Sequence, residues 1–333
     1  MSWKNLKQRS LADALLIEHK ALTELDDVHE LINWERIEIL LKDIHSSPRG
    51  EQAWPPLLMF KALLLQSWYT LSDPQLEKQL ARDLLFRRFV GLSLSESVPD
   101  HSTFWRFRNK PEVVALQDAL LEEVNQQLTE KGLFIKQGDI SIVDASVIKA
   151  QRNRPNKGVD GENTQDPEAG YNVKSGSDGK TKTTYGYKAH INVDEDDFIK
   201  SIGFTAGNVH DSQCFTELLS EKESKVFADS AYASGKTTKW LKERSIDNGV
   251  LERAYRNKPL TDQQKASNKM KSRIRCGVER VFGILKLHYG MAQARYLGKA
   301  RNQMRFGVMC LAYNLKRGVS LQREIQGLQE SCV

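Results

Sequence analysis

The chain has 333 residues, of which 40% are hydrophobic and 28% charged. That is ordinary globular composition, with enough apolar side chain for a large core and a length that suits two domains better than one. No apolar run approaches the ~20 residues that cross a bilayer. The N-terminus has no apolar block ending in small residues, so the expectation is a cytoplasmic protein without membrane partners. Cys214, Cys276, Cys310 and Cys332 form no CxxC pair, which points to reduced thiols rather than structural zinc.

In chain order, residues 1–48 read as a helical N-terminal segment, with apolar residues three and four apart. "PPLLMFKALLLQSWY" predicts a helix whose prolines fall in its tolerated first turn. In "TLSDPQLEKQLARD", Ser72 or Asp73 supplies an N-cap with Pro74 just inside. "PDHSTFWRFRNK" predicts a short helix capped by Asp100 or Ser102 that displays Arg106, Arg108 and Lys110. Successive short helices with tight polar turns make residues 49–115 a helix-turn-helix-like DNA-binding module or an ordinary helical bundle. A linking helix spans about 116–135.

The pattern then changes. "DISIVDASVIKA" alternates and is rich in Ile and Val, which predicts a buried strand. Residues 151–183 are polar and rich in Gly, Asn and Asp, and read as one long loop. "YGYKAHINVD" and "FIKSIGFTAG" make a hairpin around the acidic turn "DEDD", a solvated charged tip. "DSQCFTELLSEK" predicts a helix, "KVFADSAY" a strand, "GKTTKWLKERS" a helix and "NGVLERA" a short strand. A helix from Thr261, with Gln264 completing a capping box, stops at Gly290. "KARNQMRFGVMCLAYNLKR" is a last amphipathic helix, and 319–333 reads as a tail. Residues 136–318 therefore form an α/β domain with a mixed sheet.

The net charge is +6, but Lys265–Arg305 alone holds eleven Lys and Arg against one acid, Glu279, so the remainder is net acidic. A local basic block on an otherwise acidic chain is the footprint of a polyanion. Lys149, Arg152 and Arg154, just past the first strand, track a DNA backbone or form a basic loop.

Asp144 in "ISIVDAS" and Asp229 in "KVFADSAY" end or follow apolar strand runs. Aspartate disfavours strands and is rarely buried alone, so each reads as a strand-terminating turn residue or as a group aimed at a ligand. Asp139 precedes its strand and is a solvated turn residue. Three carboxylates from separate elements suit a pair of Mg²⁺ ions, hard cations that prefer oxygen. In the basic helix Arg275, Glu279, Arg280 and Lys286 add charge, and Arg275, Glu279 and Lys286 share a face at offsets of four and seven. Ile274, Val278, Val281 and Leu285 form the neighbouring apolar stripe, which docks on the sheet. Gly277 and Gly283 each weaken a helix by ~1 kcal/mol, a cost that makes sense where a sheet or DNA backbone comes close. His190, His210 and Asp211 either line the site or satisfy local hydrogen bonds.

Asp144, Asp229 and Glu279, in this order, resemble the acid triad of bacterial insertion-sequence DDE transposases. One large group of these carries the signature Tyr-x2-Arg-x3-Glu-x6-Lys. Arg275, Glu279 and Lys286 match that spacing, and Ser272 stands at the tyrosine position. "YGYKAHI", "TAGNVHDS", "FADSAY" and "PDHSTFWRFR" are similar to segments of the same family, so the resemblance covers about 50–317. It implies a ribonuclease-H-like mixed sheet flanked by helices, with the all-α module in front. It further implies Mg²⁺ (two ions, Mn²⁺ as substitute) held by the triad, double-stranded DNA as substrate, and a homodimer or larger assembly on element ends. The rivals are a non-cutting DNA-binding protein descended from such an enzyme, and a nuclease of the same fold.

Overall fold

The computed structural model describes residues 19–44, 52–133, 139–152, 158, 165–175, 180–255 and 259–330. The chain divides into two compact units, Met1–Leu133 with Gly307–Val333, and Phe134–Phe306.

The first unit is helical. After a 3-10 turn at Lys20–Thr23 come α1 (Asp26–Leu31), α2 (Trp34–Leu41), α3 (Pro56–Trp68), α4 (Asp73–Arg82), α5 (Leu84–Val90), α6 (His101–Arg108), α7 (Pro111–Ala115) and α8 (Gln117–Glu130). Local chemistry sets the boundaries. Ser72 caps α4 in a reciprocal box with Gln75, and Asp100 caps α6 by accepting from the Thr103 amide at 2.8 Å. Helix α5 ends on Gly91 at φ +82°, a left-handed conformation that glycine adopts without Cβ strain. α3 is buried nearly all round, from Leu58 to Ser67, so it forms the centre of the unit. The expected linking helix is broken into α7 and α8 at Leu116, which caps the second.

The last helix carries residues of both units. α11 spans Lys299–Glu330, well past the expected tail boundary at 319. Packing explains the extension. A Cβ at Gly318 would lie 2.8 Å from the Leu128 side chain and 3.0 Å from that of Leu31, and Val319 is buried. Buried Asn314 donates to Asn125 at 2.8 Å, and Trp68 donates from its indole to the Ala312 carbonyl at 2.9 Å. These pairings satisfy polar groups that would otherwise cost stability on burial.

The second unit is built on a six-stranded mixed sheet of β1 (Ile140–Lys149), β2 (Gly170–Ser175), β3 (Thr181–Val193), β4 (Ile199–Ala206), β5 (Lys225–Ala228) and β6 (Asp247–Asn248). The order is β2-β3-β1-β5-β6, and β4 also pairs with β3. β1 runs antiparallel to β3 and parallel to β5, and is therefore central. Helices α9 (Gly235–Glu243) and α10 (Asp262–His288) accompany the sheet, giving the mixed, helix-flanked architecture expected.

Three expectations are corrected. The polar stretch 151–183 is not a single loop, because Gly170–Ser175 pairs with β3 as β2. "DSQCFTELLSEK" makes two 3-10 turns, Asp211–Gln213 and Thr216–Leu218, rather than a helix. Its apolar residues Phe215, Leu218 and Leu219 are buried in the core with Val143, Val226 and Leu241, and tertiary packing overrides the helical spacing. The strand read at "NGVLERA" falls earlier, at Asp247–Asn248.

Candidate active site

Strand register brings the two aspartates together. β1 and β5 are parallel, about 4.8 Å apart, with Val143 opposite Ala228, so Asp144, the next residue on β1, and Asp229, the first residue past β5, follow a directly paired position. Period-two alternation separates the faces. Val143 points into the core with Phe215 and Tyr232, whereas Ile142 and Asp144 share the other face, where α10 packs. Asp144 sits in mid-strand rather than at a strand end. Asp229 caps the 3-10 turn Ser230–Tyr232, and its carboxylate accepts from the Ser230 amide at 2.6 Å.

Helix α10 delivers the third acid. It starts at the Thr261–Gln264 capping box and is followed by Gly290 at φ +67°, as its sequence predicts. Val278, Val281, Phe282 and Leu285 are buried, and this stripe docks the helix on the sheet. Ile274 does not join the stripe and is 41% exposed. Gly277 permits the approach, since a Cβ there would come within 2.8 Å of Asp197 on the β3–β4 turn. Gly283 has open space around it and serves no such contact.

The exposed ridge of α10 then crosses the aspartates. Arg275 donates from Nη1 to Asp144 Oδ2 at 3.1 Å and from Nη2 to Glu279, so one guanidinium links two of the acids. Burial pushes the Asp144 carboxyl up to about 6; the Ala145 amide and Arg275 oppose this, while Asp229 and Asp211 reinforce it. Among the described residues no three Asp, Glu, His or Cys side chains converge closely enough to enclose a metal ion.

Two further groups, both in range of Asp211, were not singled out from sequence. Lys188 on β3 is buried and pairs with Asp211 at 2.7 Å, while donating to the Val209 carbonyl at 2.7 Å. Tyr232 is fully buried with an unpartnered hydroxyl, and burial together with Asp144, Asp211 and Asp229 raises its pKa far above the usual phenol value. Its position three residues after Asp229 in "FADSAY" was the available signal. His190 is also fully buried, hydrogen-bonded to Thr205 at 2.8 Å, with its pKa pushed down to about 4 chiefly by burial. His210 caps the turn that holds Asp211.

The expected DNA-contacting residues separate into groups. Lys286 is part-buried two turns from Glu279, and Lys149 and Arg152 are exposed at the end of β1. Arg280 is paired through two nitrogens with Asp197, each at 3.1 Å. Arg106 is 60% exposed in its side chain and Lys110 is half-buried at the start of α7. Arg108 is corrected: only 2% exposed, it donates to Asp73 at 2.7 Å and Gln66 at 3.0 Å, so its fork holds α6 to α3 and α4 instead of facing a ligand. Arg154 lies outside the described residues.

With this geometry, residues 135–315 match the family described as the transposase DDE domain, and residues 12–110 match a second, described as a transposase domain. The chain belongs to the DDE transposase family. It is a transposase acting on DNA. Among solved structures, a pre-cleavage Mos1 transpososome aligns at 10% identity over 86% of this chain and 84% of that one, with a TM-score of 0.20. The Mos1 mariner paired-end complex with Mn aligns at 11% identity over 94% and 93%, with a TM-score of 0.21. No helix among the described residues of this transposase is long and apolar enough to cross a membrane.

Proposed function

We propose that this transposase binds the terminal inverted repeats of an insertion sequence and carries out metal-dependent cleavage and strand transfer with Asp144, Asp229 and Glu279. The observation that carries the reading is the junction of register and helix. Val143 opposite Ala228 sets the aspartates side by side, and Arg275 ties Asp144 to Glu279.

Water attacks the phosphodiester at the element end and the P–O3′ bond breaks, leaving a 3′-OH and a 5′-phosphate. The 3′-OH then attacks a target phosphodiester in the same site, the target's P–O3′ bond breaks, and its 3′-oxygen leaves as a protonated 3′-OH. No covalent enzyme intermediate is needed, since positioning and charge stabilisation carry phosphoryl transfer. The triad fits Mg²⁺ or Mn²⁺ by donor chemistry. All three donors are hard oxygens, and Asp229 and Asp211 lie within electrostatic range of the part-buried Asp144 carboxyl, a grouping that suits a divalent cation. A pair of such ions, when bound, supplies Lewis-acid stabilisation of the attacking and leaving oxygens. Arg275 swings between the carboxylates and a substrate phosphate, and Lys286 holds a second phosphate on the same helix face.

The helical module at 49–115 contacts the repeat through Arg106 and Lys110. A homodimer or larger assembly pairs two element ends, in the cytoplasm and on the nucleoid when DNA-bound. The test compares wild type with Asp144→Asn and Glu279→Gln. Both variants lose Mg²⁺-dependent nicking of cognate ends and keep DNA affinity. A wild type that never nicks its ends under any divalent metal overturns the enzyme reading.

A further inference from the structure

Beside the acids, the second unit carries a cavity of about 270 Å³ whose lining includes Lys149, Lys174, Lys182, Lys286, Asn172 and Thr184. Among the described residues, no carboxylate and no aromatic ring lines it. Its walls come from three places. β2 and β3 supply Asn172 and Lys174 opposite Thr184 and Lys182, the end of β1 supplies Lys149, and the last turn of α10 supplies Lys286. Lys149 is fixed in the backbone, donating to the Ala292 carbonyl at 3.1 Å and accepting from the Ala294 amide at 2.7 Å, which ties the strand to the segment after α10.

The register makes the charge arrangement unfavourable for folding. Lys174 and Lys182 are directly opposite each other across β2 and β3. Like charges facing across a strand pair destabilise a sheet, and no acid among the described lining residues offsets them. The next pair on the same face, Asn172 and Thr184, offers hydrogen-bonding side chains rather than apolar ones. Lys286 connects this groove to the acids. Burial lowers its pKa, Lys174 lowers it further, and Asp144 opposes them, so its ammonium lies within electrostatic range of both.

We propose that this lysine groove holds the phosphodiester backbone of the DNA strand running on from the acid site, with Lys174 and Lys182 as phosphate contacts and Asn172 and Thr184 as hydrogen-bonding partners. The inference rests on the proposed cleavage at Asp144, and extends the DNA path from α10 onto the β2–β3 hairpin. The lining is suited to backbone rather than base. Its described residues offer ammonium, amide and hydroxyl groups and include no aromatic platform on which bases stack. Its lysines are largely exposed, which suits a continuous strand better than an enclosed small anion.

The experiment uses the full chain and a fluorescent duplex of arbitrary sequence, with affinity measured across a salt series. Lys174→Gln/Lys182→Gln is expected to lower the slope of log K against log salt by about two, since each lost phosphate contact removes ~0.9. Lys222→Gln/Lys236→Gln, at exposed positions outside the groove, is expected to leave the slope unchanged. An unchanged slope in the groove variant, or an equal fall in both pairs, overturns the proposal. Inorganic phosphate that raises the Tm of wild type but not of the groove variant, with matching DNA slopes, identifies a small-anion site and also overturns it. The nicking assay is read separately. A slope shift in a protein that does not nick supports the groove as a DNA contact while removing the cleavage reading.

Discussion

Arg275 reaches Asp144 at 3.1 Å and holds Glu279, one turn along its own helix, with the other arm of its guanidinium. A carboxylate on a central strand and one on a flanking helix are thus joined through a single cation. Burial works against the charge of Arg275, but Asp144, Glu279 and Asp229 outweigh it and raise its pKa. In the proposed metal-dependent reaction, a divalent ion would take over this electrostatic role.

Arg275→Ala is therefore expected to lower the Tm in metal-free buffer, because it leaves Asp144 part-buried without its partner. Millimolar Mg²⁺ should restore more of that loss in the variant than it adds to wild type. Differential scanning fluorimetry with and without Mg²⁺ reads this directly, and an equal metal response in both proteins contradicts it.

Lys286→Ala should weaken DNA binding and reduce the salt slope by about one, whereas Glu279→Gln should abolish nicking and leave the slope alone. The two residues lie on one helix, so matched loss of both properties in both variants would show that they do not divide the work.

Arg106 and Arg108, two residues apart, should behave in opposite ways. Arg108→Met removes a buried guanidinium and leaves part-buried Asp73 without its ion-pair partner, a loss on the order of 3 kcal/mol. Urea unfolding should show a clear fall in midpoint for Arg108→Met. Arg106→Ala, at an exposed site, should leave the midpoint in place and lower DNA affinity in low-salt anisotropy.

Asp194, expected at a solvated hairpin tip, is instead 3% exposed, with Oδ1 accepting from the Phe198 amide at 2.7 Å and the Asp196 amide at 3.0 Å. Burial pushes its carboxyl up to about 7; Asp196 adds to this, and the backbone amides and Lys200 oppose it. A folded pKa above the unfolded value means stability is greatest below the unfolded pKa, ~3.9 for aspartate, and is lost as pH rises through about 7. Asp194→Asn keeps the amide contacts and removes the charge. Its Tm should exceed that of wild type at pH ~8, with the gap closing near pH ~4.

Local signals in the sequence carried a good part of this protein. Helix caps at Ser72, Asp100 and Thr261, the stop at Gly290 and the alternation of β1 are decided within a few residues, because a cap or a pleat depends on neighbouring backbone groups. The offsets of Arg275, Glu279 and Lys286 likewise follow from helical period alone. What the tertiary structure decided was burial and pairing. Arg106 and Arg108 look alike in sequence, yet Asp73 and Gln66, brought from α4 and α3, hold only the second. Strand β2 is hidden in a polar segment because its partner β3, not its own composition, completes its hydrogen bonds. Asp144 and Asp229 are 85 residues apart in the chain, and no local rule states that Val143 faces Ala228. That register is settled by the packing of two sheet faces, where slipping by one residue would turn every side chain to the wrong side.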